Sequence, residues 1–311
     1  MKVFLKKNIT MAAVAAIVIF IFIINSKKPE QNIVLGCQAT QNNALVECVK
    51  NKILLEINNN PSLTGSTLNE VWTSNNSIDL RTFSPLAHMA GMMLVEAKIE
   101  LKSAINYCGN SFKGACAHGA IMEYIDAHNP GNVQFSEFRG ICNLLNLNPK
   151  QYKNCAHAVG HELRAKASGE NAELVLLCDY FDSKYRPACA SGILMEASTG
   201  NNGSGYHSHM PVGQFSFDCN AMPAGYKHTC YSSQGSYKQY EANSEPWKTT
   251  FEFCSSIPKI YETDCFAGVD ERLLMSKSGN MAEAEKICDS LSTPEKNGCL
   301  LVKNMSLDTL E

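Results

Sequence analysis

The cysteines constrain the fold of this chain more than any other feature of its sequence. The 311 residues include 14 cysteines, and neighbouring cysteines form seven couples, five of which enclose ten residues each. Cysteines in such numbers are typical of disulfides in exported proteins, and the CxxC knuckles of zinc ribbons are absent. Sequence alone allows other connectivities, but the regular order favours pairing of neighbours. The predicted disulfides are Cys37–Cys48, Cys108–Cys116, Cys142–Cys155, Cys178–Cys189, Cys219–Cys230, Cys254–Cys265 and Cys288–Cys299.

The couples also mark a repeat. Their second members recur every 34–41 residues from Cys116 to Cys299, a period typical of helical-hairpin arrays. A tyrosine stands four residues before the second cysteine in three couples, at Tyr185, Tyr226 and Tyr261. We therefore predict an all-α fold, a solenoid-like array of αα-hairpins with one disulfide per hairpin. In each hairpin, helix A ends at the first cysteine and helix B begins at the second.

This layout resembles the disulfide-clamped, Sel1-like branch of tetratricopeptide-type helical-repeat proteins. The resemblance is architectural and spans about residues 105–311. It implies αα units that each carry one disulfide within the hairpin. It implies no particular activity, because such arrays mostly serve as binding surfaces.

The N-terminus predicts export. Lysines precede the apolar run "ITMAAVAAIVIFIFII" at residues 9–24, which predicts a membrane anchor, with a cleaved secretory signal as the alternative. The predicted divisions are an anchor and its flank at 1–31, an irregular segment with one stapled hairpin at 32–83, and the repeat domain at 84–311. The protein is thus expected to cross the membrane once, with its C-terminal domain extracytoplasmic.

Two finer expectations concern the segment around residue 84. The polar stretch 58–77 predicts a loop, because it is rich in asparagine, serine and threonine. The stretch 84–108 has a strong helical pattern and is expected to form the first helix of the repeat array.

Charge and motifs exclude several classes of function. The formal net charge is −3 and the isoelectric point is near 6.3. No basic stripe stands out, so we expect no nucleic-acid partner. The sequence contains no GxSxG, P-loop or GxGxxG motif.

The predicted B helices align when the second cysteine is counted as position zero. Positions two and six are four residues apart, so they lie on one helix face, and equivalent positions of neighbouring helices come side by side. These positions form a ladder of histidine and methionine: His88, Met92, His118, Met122, His157, His161 and Met195.

The ladder predicts a transition-metal site. Imidazole is a good ligand for zinc, copper, iron and nickel, and thioether favours copper. We expect His118, His157 and His161 to be the principal ligands and copper to be preferred over zinc. Supporting positions are His88, Met122 and Met195, with His207 and His209 from the glycine-rich loop 200–211.

The same residues also fit other interpretations. Methionine at helical spacing commonly fills a core, and a lone HxxxH motif is a weak signal. Glu123, Glu162 and Glu196, at position seven, are expected to point toward the clamped partner helix and to be structural. Two alternative functions are an extracytoplasmic scaffold that binds a protein, peptide or glycan on its concave face, and a metal-dependent hydrolase or oxidase.

Overall fold

A computed structural model describes residues 42–74, 80–109, 114–128, 135–166, 169–199, 217–241 and 247–276, together with residues 289 and 296. The predicted anchor at 1–31, Cys37, Cys288, Cys299, His207 and His209 lie outside the described residues. Within the described ranges, no helix has both the length and the apolar character needed to span a bilayer.

The described residues are helical and contain no strand, as the sequence predicts. The helices are α1 Asn42–Asn59, α2 Thr64–Ser74, α3 Leu80–Glu96, α4 Leu101–Cys108, α5 Ala115–His128, α6 Phe135–Leu144, α7 Pro149–Lys166, α8 Asn171–Leu174, α9 Arg186–Thr199, α10 Lys227–Glu241, α11 Trp247–Ser256 and α12 Glu262–Ser276. Short 3₁₀ turns occupy Pro61–Leu63, Val175–Tyr180, Ala224–Tyr226 and Lys259–Tyr261.

The prediction of a loop at 58–77 is wrong, because α2 lies within it. Pro61 starts a 3₁₀ turn, a position that suits its fixed φ and missing N–H group. The residues that face the core have helical spacing although two of them are threonines: Thr64, Thr67, Leu68 and Val71. The buried threonines disguise the apolar face, so composition alone suggests a loop.

The single helix predicted over 84–108 is in fact two helices, α3 and α4. The chain turns between them at Lys98, whose φ of 63° lies in the left-handed region. A residue in that conformation ends an α-helix. Leu101, Ala104, Ile105 and Cys108 then form the buried face of α4.

The predicted pairing of cysteines is confirmed at five couples. The disulfides are Cys108–Cys116, Cys142–Cys155, Cys178–Cys189, Cys219–Cys230 and Cys254–Cys265. Their Cα–Cα distances of 5.4 to 5.8 Å are ordinary for disulfides. Cys48 is disulfide-bonded as well, and no cysteine in the described ranges is free.

The segment that carries the first cysteine of each disulfide is less regularly helical than predicted. Cys108, Cys142 and Cys254 lie in the α-helices α4, α6 and α11. Cys178 instead lies in a 3₁₀ turn, and Cys219 lies outside any helix. The second arm, the segment that carries the second cysteine, is always an α-helix, and it starts up to six residues before its cysteine.

Glycines bring these second-arm helices together in pairs. A Cβ atom on Gly160 of α7 would lie closer than 3.0 Å to the carbonyl oxygen of Cys189 in α9. A Cβ atom on Gly192 of α9 would in turn meet the carbonyl oxygen of His157 in α7. The two backbones therefore touch at a distance that only glycine allows.

The same reciprocal contact occurs at two further pairs. Gly91 of α3 and Gly119 of α5 form one, and Gly235 of α10 and Gly268 of α12 form the other. In every pair the first helix has its glycine at position five and the second at position three. Side-chain packing joins the pairs to one another, since α5 also contacts α7 and α9 contacts α10.

Candidate functional site

Four histidine rings meet where the first two glycine-paired units adjoin. His88 is on α3, His118 on α5, and His157 and His161 on α7. The ring centre of His157 lies 4.7 Å from that of His118 and 4.8 Å from that of His161. The centre of His88 lies 5.8 Å from that of His118 and 6.4 Å from that of His161. We call these four residues the imidazole cluster.

The cluster is largely shielded from water. His88, His118 and His161 are buried, and His157 is partly exposed. His157 therefore marks the side from which solvent reaches the rings. Burial lowers the pKa of His88 and His161 to about 4. Burial, and secondarily the neighbouring rings, hold the pKa of His118 and His157 well below the usual value, so all four imidazoles are neutral at pH 7.

Neighbouring groups hold the Nδ1 atoms of the cluster. These contacts join His88 to the Ser84 carbonyl at 2.8 Å, His157 to the Ala188 carbonyl at 3.2 Å and His161 to Glu196 Oε2 at 3.0 Å. A carbonyl oxygen only accepts, so Nδ1 of His88 and of His157 must carry the proton. The Nε2 atom of each of these rings is then left with a lone pair.

The Nε2 atoms of His157 and His161 face each other 3.1 Å apart. When Glu196 is ionised, it accepts from Nδ1 of His161, and both Nε2 atoms carry lone pairs. Two lone pairs at this distance repel unless a proton or a cation lies between them, and the lowered pKa values disfavour the proton. The alternative tautomer, in which His161 donates through Nε2, requires Glu196 to be protonated.

His118 adds a third nitrogen in need of a partner. Its Nε2 atom is buried without a hydrogen bond. The Asn154 side chain acts on the same ring as a hydrogen-bonding neighbour. Buried polar atoms in folded proteins nearly always have a partner, and an exception commonly marks a missing water or ion.

Glu196 of α9 has a role that the sequence did not indicate. Its carboxyl group and the ring of His161 are both buried, with side-chain exposures of 6% and 5%. The prediction that Glu196 points toward the clamped partner helix is therefore wrong, because its carboxyl group contacts His161 of the neighbouring helix α7. Carboxylates that hold the second nitrogen of a ligating histidine fix its tautomer and raise its basicity.

The histidine nitrogens lie near one another, but they do not surround a single point at coordination distance. Within the described part of the chain, no three or more His, Cys, Asp or Glu side chains stand in an arrangement that could hold an ion as they are. In a tetrahedral site with bonds of about 2.0 Å, imidazole centres lie about 5 Å apart. His118, His157 and His161 meet this for two of their three distances, and the third, between His118 and His161, is 6.4 Å.

The methionines of the ladder are less well placed to act as ligands. Met122 is 1% exposed and belongs to the hydrophobic core. Met92 and Met195 are partly exposed residues of α3 and α9. The remaining described histidines, His128 and His228, are exposed and lie outside the cluster.

A second group of charges lies beside the cluster. Glu162, which follows His161 in α7, is fully buried, and neither of its oxygens has a hydrogen bond. Burial, and then the nearby Asp126 carboxylate, raise its pKa to about 8. Lys166 contacts Asp126 Oδ1 and lies 3.8 Å from Glu162 Oε2.

Comparison with known proteins finds no matching family model, no matching curated protein and no matching solved structure. The resemblance to Sel1-like repeats therefore stays a prediction.

Proposed function

We propose that the protein binds one transition-metal ion, copper or zinc, through the imidazole cluster. His118, His157 and His161 are the principal ligands, and His88 is the fourth. The observation that carries the proposal is the pair of neutral imidazoles whose Nε2 atoms face each other at 3.1 Å. In a tetrahedral site the donor nitrogens lie about 3.3 Å apart, so this pair already has nearly the spacing of two ligands.

The chemistry of the donors supports this ion class. Imidazole nitrogens suit zinc and copper, and ligands must be deprotonated to bind. The lowered pKa values keep the rings in that state. The core position of Met122 weakens the argument for copper(I), so zinc and copper(II) are the ions that fit the cluster best.

Metal content of the purified full-length protein tests the proposal. The protein is stripped with a chelator, reconstituted separately with Cu(II) and Zn(II), and measured by elemental analysis. About one ion per chain is expected. The joint His157→Ala/His161→Ala variant should lose it while keeping its helical circular dichroism and its disulfide map.

A matched variant controls for the loss of two histidines. His128→Ala/His228→Ala removes two exposed histidines outside the cluster and should keep the ion. A wild-type protein that takes up neither metal would refute the proposal and leave the scaffold interpretation in place. Equal loss of metal in both double variants would refute it too.

Glu196 gives a finer test of the same site. If it holds His161 for coordination, Glu196→Gln should weaken metal binding about 10- to 100-fold without abolishing it. Metal affinity measured by competition with a chelator gives the number. An unchanged affinity would show that the contact with His161 serves only packing.

We also propose that the helix pairs form a repeat array, with the pair as its unit. Equivalent glycines, such as Gly91, Gly160 and Gly235, recur 69 and 75 residues apart. Each pair repeats the same reciprocal backbone contact and the same order of glycine positions. The ligands occur only in the first two units, since the third has Ser232 and Ser236 where α7 has its histidines.

A further inference from the structure

Glu162 is a fully buried acidic residue whose carboxyl group has no hydrogen bond. Its exposed fraction is 0%, and both carboxyl oxygens lack a hydrogen bond. Burying a carboxyl group without hydrogen bonds is unfavourable whether it is charged or neutral. An ion or ordered water is the usual explanation for such a group.

The surroundings of Glu162 favour a cation. Asp126, Glu196 and Glu123 all act on it as negative charges. Lys166 is a positive neighbour, but it contacts Asp126 directly and stays 3.8 Å from Glu162. The lysine thus lies closer to Asp126 than to Glu162, and three carboxyl groups act on Glu162 against one ammonium group.

Two links join these carboxyl groups to the imidazole cluster, one along the chain and one through a side-chain contact. Glu162 follows His161 in α7, and Glu196 of α9 contacts His161 at 3.0 Å while its charge acts on Glu162. The imidazole cluster and Glu162 thus share one helix and one neighbouring carboxylate. A cation at Glu162 would lie beside a cation held by the histidines.

We propose that Glu162, with Glu196, binds a second divalent cation beside the imidazole cluster. Carboxylate oxygens suit manganese and magnesium, whereas the histidines suit zinc and copper, so the two positions select different ions. This inference deepens the proposed function and rests on it. It makes the site a two-cation centre with one nitrogen-rich and one oxygen-rich position.

Sequential loading of the full-length protein tests this. Chelator-stripped protein first receives one equivalent of Zn(II), and zinc uptake by itself reports on the proposed function. The loaded protein is then titrated with Mn(II), and bound Mn(II) is counted from the loss of the free-ion electron paramagnetic resonance signal. One Mn(II) per zinc-loaded chain is expected.

Two isosteric variants locate the second ion. Glu162→Gln should weaken Mn(II) binding at least tenfold and keep zinc uptake, which also shows that the fold is intact. Glu173→Gln removes an exposed carboxyl group of α8 and should bind Mn(II) like the wild type. Should glutamine at 162 impair folding, Glu162→Met is the second variant, with the same expectation.

Two results would overturn the second site. One is a zinc-loaded wild type that binds no Mn(II). The other is a Glu162→Gln protein that binds Mn(II) as tightly as the wild type. Either result leaves the zinc measurement standing, so failure of the second site is distinct from failure of the first.

Discussion

Gly192→Ala tests whether backbone contact between paired helices determines how the site is assembled. The added methyl group would meet the carbonyl group of His157 and the amide nitrogen of His161, which are backbone atoms of α7. These atoms cannot rotate away as a flexible side chain can. Ordinary contact begins near 3.4 Å, so α7 and α9 must separate by about 1.4 Å at this point.

The size of the effect follows from two opposing terms. Overpacking of this kind costs about 1–3 kcal/mol. Replacing glycine by alanine within a helix returns about 1 kcal/mol. Because the clash involves rigid backbone on both sides, we expect the upper part of that range and a net loss of about 2 kcal/mol in the free energy of unfolding.

Gly140→Ala is the matched control. Gly140 is a helical residue of α6, and a Cβ atom there would have nothing within 4 Å. It should gain about 1 kcal/mol from helix propensity alone. The two variants should therefore differ by about 3 kcal/mol, or roughly 6–12 °C in Tm, at about 2–4 °C per kcal/mol for a domain of this size.

Differential scanning calorimetry of both variants, with the disulfides intact, measures this difference. Gly192→Ala should melt below the wild type and Gly140→Ala at or above it. Metal binding should weaken in Gly192→Ala as well, because the separation moves His161 away from Glu196 and His157 away from the Ala188 carbonyl group. A Gly192→Ala protein that melts with Gly140→Ala would refute the close contact.

Three further predictions concern stability. In metal-free protein, the contribution of His88 and His161 to stability should be fully present above about pH 6.5 and be lost toward about pH 4. The unfolded chain binds protons near 6.5, whereas these two histidines in the folded chain do so only near 4. A Tm of the Glu162→Gln variant that is flat across this window would contradict it. Glu162 has the opposite sign, since its raised pKa of about 8 costs stability as the pH rises from about 4.5 to 8. Glu162→Gln should therefore raise the Tm of metal-free protein at pH 7.5 and leave it nearly unchanged at pH 4, and equal shifts at both values would count against buried ionisation. Replacing Cys178 and Cys189 together by alanine should lower the free energy of unfolding by about 3 kcal/mol, measured by denaturant titration, and an unshifted midpoint would show that the clamp contributes nothing.

The sequence predicted those features that depend on local spacing. Each confirmed disulfide joins cysteines 8 to 13 residues apart, so the order of cysteines along the chain was enough. The meeting of His118 with His157 and His161 followed from a common helix frame. Spacing within a helix fixes which face a residue occupies, and α5 packs directly against α7, so equivalent positions of the two helices meet.

Contacts between helices were harder to predict. The glycines at positions five and three are present in the aligned B-helix sequences. They indicate a close backbone contact only once it is known which helices pair. Glu196 was missed for a related reason, because its partner His161 lies 35 residues earlier on a different helix. The helix α2 was missed because buried threonines at its core face look polar in composition.

The glycine contacts join six of the described helices into three pairs held together by close backbone contact, and side chains pack these pairs against one another. His88 and His118 belong to one such pair, whereas His157, His161 and Glu196 belong to the next. The four rings thus bridge a boundary between two stiff bodies. A ligand that binds all four rings also restrains the motion of one helix pair against the other. Occupancy of the imidazole cluster would therefore control how easily the two pairs move relative to each other.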